Sequence, residues 1–172
     1  MIKQEVEYVS FVKRALIYLV DMIIMFVPLL LLYRKTYFLA LEYQSSFILL
    51  SKWIILFGFQ ISCLVLFGGT IGKLIFKIKV VNAAGNNPTL LQAAMRYSIL
   101  MLSAVLALTK EIIHTELGPL HNILASYSNL INILSTLVFL ITVYDGFSML
   151  FNKERRALHD FMANTFVIKK QR

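Results

Sequence analysis

The sequence predicts an all-α membrane protein: a single domain over residues 1–172, forming a four-helix transmembrane bundle with both termini in the cytoplasm and a small cytoplasmic β element. Apolar residues make up 59% of the chain and charged residues only 15%, more apolar surface than a soluble core of this size can bury. The formal charge of +8 falls mostly between the apolar runs, where loops face anionic lipid headgroups. We therefore expect the bilayer as the main partner, and no nucleic acid.

Four apolar runs account for the helices. They lie at about residues 15–33, 47–68, 95–113 and 130–151. The first contains Pro28, and the second starts near Lys52, whose ammonium is expected to reach the membrane surface. The third is in doubt, because its uncharged part, 97–109, is shorter than the roughly 17 residues that a span needs.

The distribution of basic residues decides the count of spans. Lysine and arginine occur before the first run, in the loop 69–96 and in the tail, whereas the loop 111–129 has neither. The positive-inside rule places both ends and the middle loop in the cytoplasm, which requires an even number of crossings. The first run has no small-residue cleavage pattern, so we expect a retained helix and not a signal peptide.

The cytoplasmic segments carry their own structure signals. Residues 74–81 alternate lysine with β-branched residues and predict a strand, followed by a turn at 82–88. Thr89 is suited to cap a helix that begins at Leu90. Residues 157–163 predict a short helix and 165–168 a second strand, and we expect the two strands to pair.

Three sequence blocks resemble one family. They are FVKR at 11–14 with Asp21 in the first span, GGTIGK at 68–73, and LHDFMANT at 158–165. Together they resemble the RDD family, small bacterial polytopic membrane proteins named for one arginine and two aspartates, with transport suggested. The resemblance covers nearly the whole chain and implies a bacterial inner-membrane location, with Arg14, Asp21 and Asp160 as the named residues. Asn164 stands where the family usually has glycine.

Ionisable residues inside the spans form the first candidate site, for an ion or a polar solute. An ionised Asp21 costs roughly 2.5–3.5 kcal/mol on insertion scales, and Asp145 is expected at a similar depth. Two adjacent carboxylates could hold a proton or a small cation, with Gln60 as a neutral ligand. Alternatively, each acid pairs separately or caps a helix end. Arg14, two turns before Asp21, either leans toward that acid or faces lipid phosphate.

Two further sets of residues lie outside the apolar runs. A docking set is expected to hold the tail against the middle loop, with Asp160 either pairing with Arg156 or capping backbone groups. A headgroup set is expected to face anionic lipid. The docking set is Arg156, His159, Asp160 and Thr165, and the headgroup set is Lys73, Lys77, Lys79 and Arg96.

Other chemistry is not indicated. Cys63 is the single cysteine, which excludes an intrachain disulfide, and His114 and His121 lack a third ligand of metal spacing. The block at 68–73 lacks the residues of a nucleotide-binding loop. We expect no metal, no cofactor and no enzymatic activity, because no catalytic constellation appears.

Two functions remain open. The first is transport of a proton, a cation or an unidentified small solute through the buried acids, for which four helices are expected to need a homo-oligomer. The alternative is a non-transporting interaction or assembly protein that uses its basic cytoplasmic face. The sequence names no protein partner.

Overall fold

The computed structural model describes residues 8–169, which form four long apolar helices, three short helices and one two-stranded sheet. In chain order the elements are α1 Phe11–Glu42, α2 Ser46–Phe67, α3 Ile71–Ile75, β1 Ile78–Asn82, α4 Leu90–Thr115, α5 Leu120–Ser126, α6 Ser128–Ser148, a 3-10 turn Met149–Phe151, α7 Leu158–Met162 and β2 Thr165–Lys169. The predicted fold class is therefore confirmed, whereas the side of the membrane on which the termini lie stays a prediction.

The four long helices are apolar and long enough to cross a bilayer. The candidate spans are Phe11–Glu42, Ser46–Ile75, Leu90–Thr115 and Ser128–Phe151. The third, doubtful from sequence, is continuous over 26 residues, because α4 continues through the charged positions after residue 109. Each span extends beyond its predicted limits at one end or both, since charged residues near the ends of the runs are also helical.

The segment after α2 differs from the predicted strand. Residues 71–75 form α3, and Lys77 has a φ of 54°, in the left-handed region, just before β1 begins. The prediction of strand over 74–77 was wrong, because α3 continues to Ile75 and the left-handed conformation of Lys77 interrupts an extended backbone. The predicted pairing is confirmed: β1 and β2 are antiparallel, with Ile78 opposite Lys169 and Asn82 opposite Thr165.

Local signals fix several element ends. The Thr89 hydroxyl accepts the Gln92 N–H at 3.3 Å, and the Gln92 side chain accepts the Thr89 N–H at 3.1 Å, a capping box at the start of α4. Asn164 has a φ of 50°, a conformation that asparagine tolerates better than most residues. It can therefore take the place of the glycine that the family resemblance implies between α7 and β2.

The chain divides into two compact units. The first comprises the chain up to Met25, Phe59–Tyr97 and the chain from Tyr144 onward. Its core packs both strands against α1, α2 and α4; the buried members are Val9, Ile17, Leu64, Ile78, Val80, Ala93 and Val167. The second comprises Phe26–Gly58 and Ser98–Val143, with a core of Ala40, Leu49, Ile112 and Leu117.

Candidate functional site

Asp160 is the centre of a buried ion-pair network in the first unit. Its side chain is fully buried, and Oδ2 accepts a hydrogen bond from Arg14 Nη1 at 2.9 Å. Arg96 Nη1 donates to Oδ1 of the same carboxylate and to the Thr165 hydroxyl at 2.8 Å. Asp160 Oδ2 also accepts the Ala157 N–H at 3.1 Å, which caps α7. One carboxylate thus joins α1, α4 and the tail; we call Asp160, Arg14, Arg96 and Thr165 the Asp160 hub.

Arg156 supports the hub through backbone groups. Its Nη2 donates to the Asp160 carbonyl at 3.0 Å and its Nε to the Thr165 carbonyl at 3.1 Å. The guanidinium lies over the rings of Phe161 and Phe166 at 4.3 and 4.2 Å, which adds cation–π attraction. The Arg156–Asp160 carboxylate pair was therefore wrong, and the alternative of backbone capping by Asp160 is what forms, because two other arginines occupy the carboxylate.

Asp21 holds the start of α3. Its Oδ1 accepts the Gly72 N–H at 2.7 Å and its Oδ2 accepts the Thr70 hydroxyl at 2.6 Å. A Cβ on Gly72 would lie 2.8 Å from Asp21 Oδ1, so any other residue here would have to displace the carboxylate. Arg14 does not contact Asp21, as helical side chains point toward the N-terminus and Arg14 therefore leans away from an acid seven residues later.

Asp145 holds the start of α7 in the same way as Asp21 holds the start of α3. Its Oδ1 accepts the His159 N–H at 2.8 Å, and its Oδ2 lies 2.6 Å from His159 Nδ1. Burial and the nearby positive charge of Arg96 lower the pKa of His159 to about 4, although Asp145 acts in the opposite direction. His159 is therefore neutral at neutral pH, and its Nδ1–H donates to Asp145.

The two acids do not form the shared ion site that the sequence suggested; each caps a helix end, which was the alternative left open. Among the bonds of residues 8–169, none joins Asp21 to Asp145, and none joins either acid to Gln60, a half-buried residue of α2. Each carboxylate instead accepts the second amide of a five-residue helix. Helix N-termini have unpaired N–H groups and a positive dipole end, which is why a buried acid settles there.

Two of the four residues predicted to face lipid headgroups are buried in the protein. Arg96 is 6% exposed and belongs to the Asp160 hub. Lys73 is 8% exposed; its Nζ lies 3.3 Å from the Thr70 hydroxyl and 5.0 Å over the Tyr18 ring. The headgroup prediction was wrong for both, because each side chain finds polar or aromatic partners inside the first unit. Lys77 is exposed and Lys79 half-buried, so for these two it stays a prediction.

A small cavity lies beside the hub. It measures about 10 Å³, room for about one water-sized particle. Arg14, Lys73, Arg96, His159 and Tyr18 line it together with four apolar residues, and its surface is almost entirely apolar. Within residues 8–169, Arg14 Nε and Nη2 are buried without a hydrogen-bond partner, so this arginine uses only part of its donor capacity.

A family model described as the RDD family matches residues 8–164. The chain belongs to the RDD family. The membership inferred from the three sequence blocks is thus confirmed, and the match spans Arg14, Arg96, Asp160, both capping acids and β1, and ends just before β2. No curated protein and no solved structure matches the chain.

In this RDD chain, the arginine and the second aspartate identified from the motifs contact each other. Arg14 and Asp160 are 146 positions apart in the sequence, yet form the 2.9 Å pair of the hub. The first aspartate, Asp21, caps α3 through Gly72, a residue of the second block. The three blocks therefore meet in one region of the first unit.

The second unit contains an ion pair that sequence reasoning missed. Lys52 Nζ lies 2.5 Å from each oxygen of the Glu111 carboxylate and 4.4 Å over the Tyr33 ring. Lys52 is 6% exposed, so its expected extension to the membrane surface was wrong: a carboxylate is within reach. The available signal was one lysine and one glutamate of opposite charge, each inside a predicted apolar helix.

Metal ligands are not grouped in the part of the chain that the structure describes, where no three His, Cys, Asp or Glu residues could hold an ion together. His159 has two carboxylates near it, Asp145 at 2.6 Å and Asp160 at 3.6 Å.

Proposed function

We propose that this RDD-family chain is a multi-pass transport protein of the bacterial cell membrane, which handles a proton, a cation or another small solute in the first unit. The observation that carries the proposal is the concentration of buried charge beside the cavity. Ionisable residues among membrane-spanning helices are expensive, and most often mark a pathway for a solute, an ion or a proton. Both termini and the loop 69–96 are proposed to lie in the cytoplasm.

The pair of Asp145 and His159 is our candidate for proton handling. A neutral imidazole bonded to a carboxylate at 2.6 Å can take up a proton with little movement of heavy atoms. Asp160, 3.6 Å from His159 Nε2, connects this pair to the two arginines of the hub. Protonation would therefore alter the charge balance of contacts that join α1, α4 and the tail.

The contacts favour a proton or a polar solute over a bare cation. Asp21 accepts two hydrogen bonds and Asp145 accepts bonds from both the backbone and the ring of His159, so their oxygens face donors. A cation would have to displace those donors. Enzymatic chemistry stays outside the proposal, because none of the described hydrogen bonds of His159 goes to a nucleophile.

The alternative, assembly through a basic cytoplasmic face, is weakened by the burial of Arg96 and Lys73. Four helices enclose little space, so we further propose that a conducting form is a homo-oligomer. The many exposed apolar side chains of the long helices are compatible with either lipid or a second copy.

Flux in liposomes tests the proposal. The protein is reconstituted with a trapped pH dye under imposed proton, sodium and potassium gradients. Asp145→Asn keeps the size of the side chain and removes its charge, and is expected to reduce proton flux by about tenfold or more. Glu111→Gln is the matched control in the second unit and should retain the wild-type rate.

The outcome separates the two functions. Flux of wild type above that of empty liposomes, lost in Asp145→Asn and kept in Glu111→Gln, supports transport. Equal dye signals from wild type, Asp145→Asn and empty liposomes under every gradient, with folded protein in both orientations, would reject ion-coupled transport. The assembly function would then be preferred.

A further inference from the structure

We propose that the short helix α5 lies in the membrane–water interface and inserts one apolar face into the lipid, at the end of the bilayer where α4 ends and α6 begins. The helix, Leu120–Ser126, lies in the loop between these two candidate spans and has no buried residue. The occupant of its apolar face is the lipid bilayer, at the boundary between headgroups and acyl chains. The inference is independent of transport, because it concerns how the second unit contacts lipid.

Large apolar side chains form a stripe along α5 and its C-terminal cap. Leu120, Ile123 and Tyr127 are exposed and follow one another at spacings of three and four residues. Since an α-helix turns once in about 3.6 residues, these positions share one face. Asn122 is exposed and polar, and adjacent positions of a helix do not face the same way, so its side chain points away from the stripe. The exposed surface of α5 is therefore amphipathic.

Contacts with the second core fix the orientation of this stripe. Leu124, next to the stripe on the helix surface, packs against that core, and Leu117, just before α5, is buried in it. Gly118, with a φ of 73°, lies so close to the start of α2 that a Cβ would be 2.9 Å from Ser46 Oγ. The helix is thus held both at its entrance and along one side, with the stripe on its outer surface.

The stripe is continuous in sequence with the exposed apolar surface of the next span. The first residue of α6, Ser128, directly follows Tyr127, and the exposed side chains of Leu130 and Ile133 come within the next turns. A helix that crosses a bilayer exposes such side chains to acyl chains. A tyrosine at this junction suits the membrane interface, where its ring contacts lipid and its hydroxyl reaches water.

The composition of the loop determines the kind of lipid contact. Residues 111–129 contain no lysine or arginine, so attraction to anionic headgroups contributes little, and burial of apolar area drives insertion. A second copy of the chain is the competing occupant. The three side chains of the stripe cover far less than the roughly 800 Å² per partner that a stable protein interface buries. We therefore expect the helix to occupy the same position in neutral and in anionic membranes.

Nitroxide labels on two sides of α5 test the proposal. The full-length protein carries Cys63→Ser, so that Ile123→Cys or Asn122→Cys provides a single labelling site, and is reconstituted in phosphatidylcholine liposomes. Paramagnetic resonance compares collisions of the label with oxygen, which concentrates in lipid, and with a water-soluble nickel complex. We expect the ratio of oxygen to nickel collisions to be several-fold higher at position 123 than at 122. The ratio should be unchanged when phosphatidylglycerol is added.

Controls make each result decisive. Ile133→Cys, in α6, gives the ratio of a label in lipid, and Leu120→Cys repeats the measurement at the other end of the stripe if Ile123→Cys folds poorly by circular dichroism. Equal ratios at positions 122 and 123 would overturn the proposal, because the helix would then have no lipid-facing side. A label on the stripe that neither oxygen nor nickel reaches would show that protein, such as a second copy, covers it. A high ratio found only with phosphatidylglycerol would show that headgroup charge holds the helix, against the proposal.

Discussion

In the second unit one lysine meets one glutamate, whereas in the first unit one aspartate is shared by two arginines. Lys52 contacts both oxygens of Glu111, and its remaining face lies over Tyr33. Arg14 keeps two buried N–H groups without a partner in the described chain, next to a cavity. In the second unit the lysine is matched by a carboxylate, whereas in the first unit Arg14 retains N–H donors without a partner among the described residues. The difference is that the carboxylate in the second unit serves a single cation, while the hub carboxylate is divided between two guanidinium groups.

The largest expected effect comes from removing the shared carboxylate. Asp160→Asn leaves both Arg14 and Arg96 buried without a counter-charge, and breaking one buried pair costs roughly 3–5 kcal/mol. Since domains unfold with about 5–15 kcal/mol, we expect low yield and a strongly lowered unfolding midpoint. Glu111→Gln strands one lysine and should cost less. Thermal unfolding can be followed in each unit by the single Cys63, through thiol labelling, and the single Trp53, through fluorescence.

Second-site substitutions sharpen the comparison. The double variant Lys52→Met with Glu111→Leu replaces both partners of the ion pair in the second unit. It is expected to restore most of the stability lost in Glu111→Gln, because apolar residues replace a buried pair at little cost. Adding Arg96→Met to Asp160→Asn leaves Arg14 stranded and should restore little. Full recovery in both double variants would show that the hub carboxylate is not shared in the way described.

The sequence predicted the fold more accurately than it predicted the side-chain contacts. Apolar run length and the absence of basic residues from 111–129 were enough for four spans, and the helix cap at Thr89 and the pairing of β1 with β2 followed from local patterns. The strand at 74–77 failed, because the start of α3 is held by Asp21, which is remote in sequence.

The sequence identified residues of the candidate site, but it did not predict which of them contact each other. Asp21 and Asp145 were singled out because charge inside an apolar run is expensive, whereas Asp160, and in part Arg14, came from the resemblance to the RDD family. Their partners lie between 14 and 146 positions away, in Gly72, His159, Arg96 and each other. Sequence spacing along one helix suggested Arg14 with Asp21, whereas the actual neighbours are fixed by which helix ends need a cap.

An effect of intermediate size on stability is expected when the pH is lowered, through His159 in the first unit. Its pKa is about 4 in the folded protein against 6.5 for an ordinary histidine, so below 6.5 the unfolded chain takes up a proton that the folded chain does not. Stability should therefore fall as the pH drops from 6.5 toward 4, by on the order of 3 kcal/mol at most, and this residue should contribute nothing to pH dependence above 6.5.

Circular dichroism melts across that pH range measure the effect. His159→Gln removes the titrating group, so the variant should lose less stability between pH 6.5 and 4 than wild type does. Equal losses in the two proteins would mean that other groups account for the acid sensitivity, and would remove the Asp145–His159 pair from the proton-handling proposal.

The smallest expected effect on stability comes from alanine substitutions at two glycines, one in each unit. Gly72→Ala would place a Cβ 2.8 Å from Asp21 Oδ1, and overpacking of this kind costs about 1–3 kcal/mol. Gly58→Ala, in α2 of the second unit, meets nothing within 4 Å and should stabilise the helix by about 0.5–1 kcal/mol. Unfolding midpoints of the two variants should thus move in opposite directions. If Gly72→Ala were as well tolerated as Gly58→Ala, Asp21 would not be holding the start of α3, and its carboxylate would be free for the cation that the present contacts disfavour.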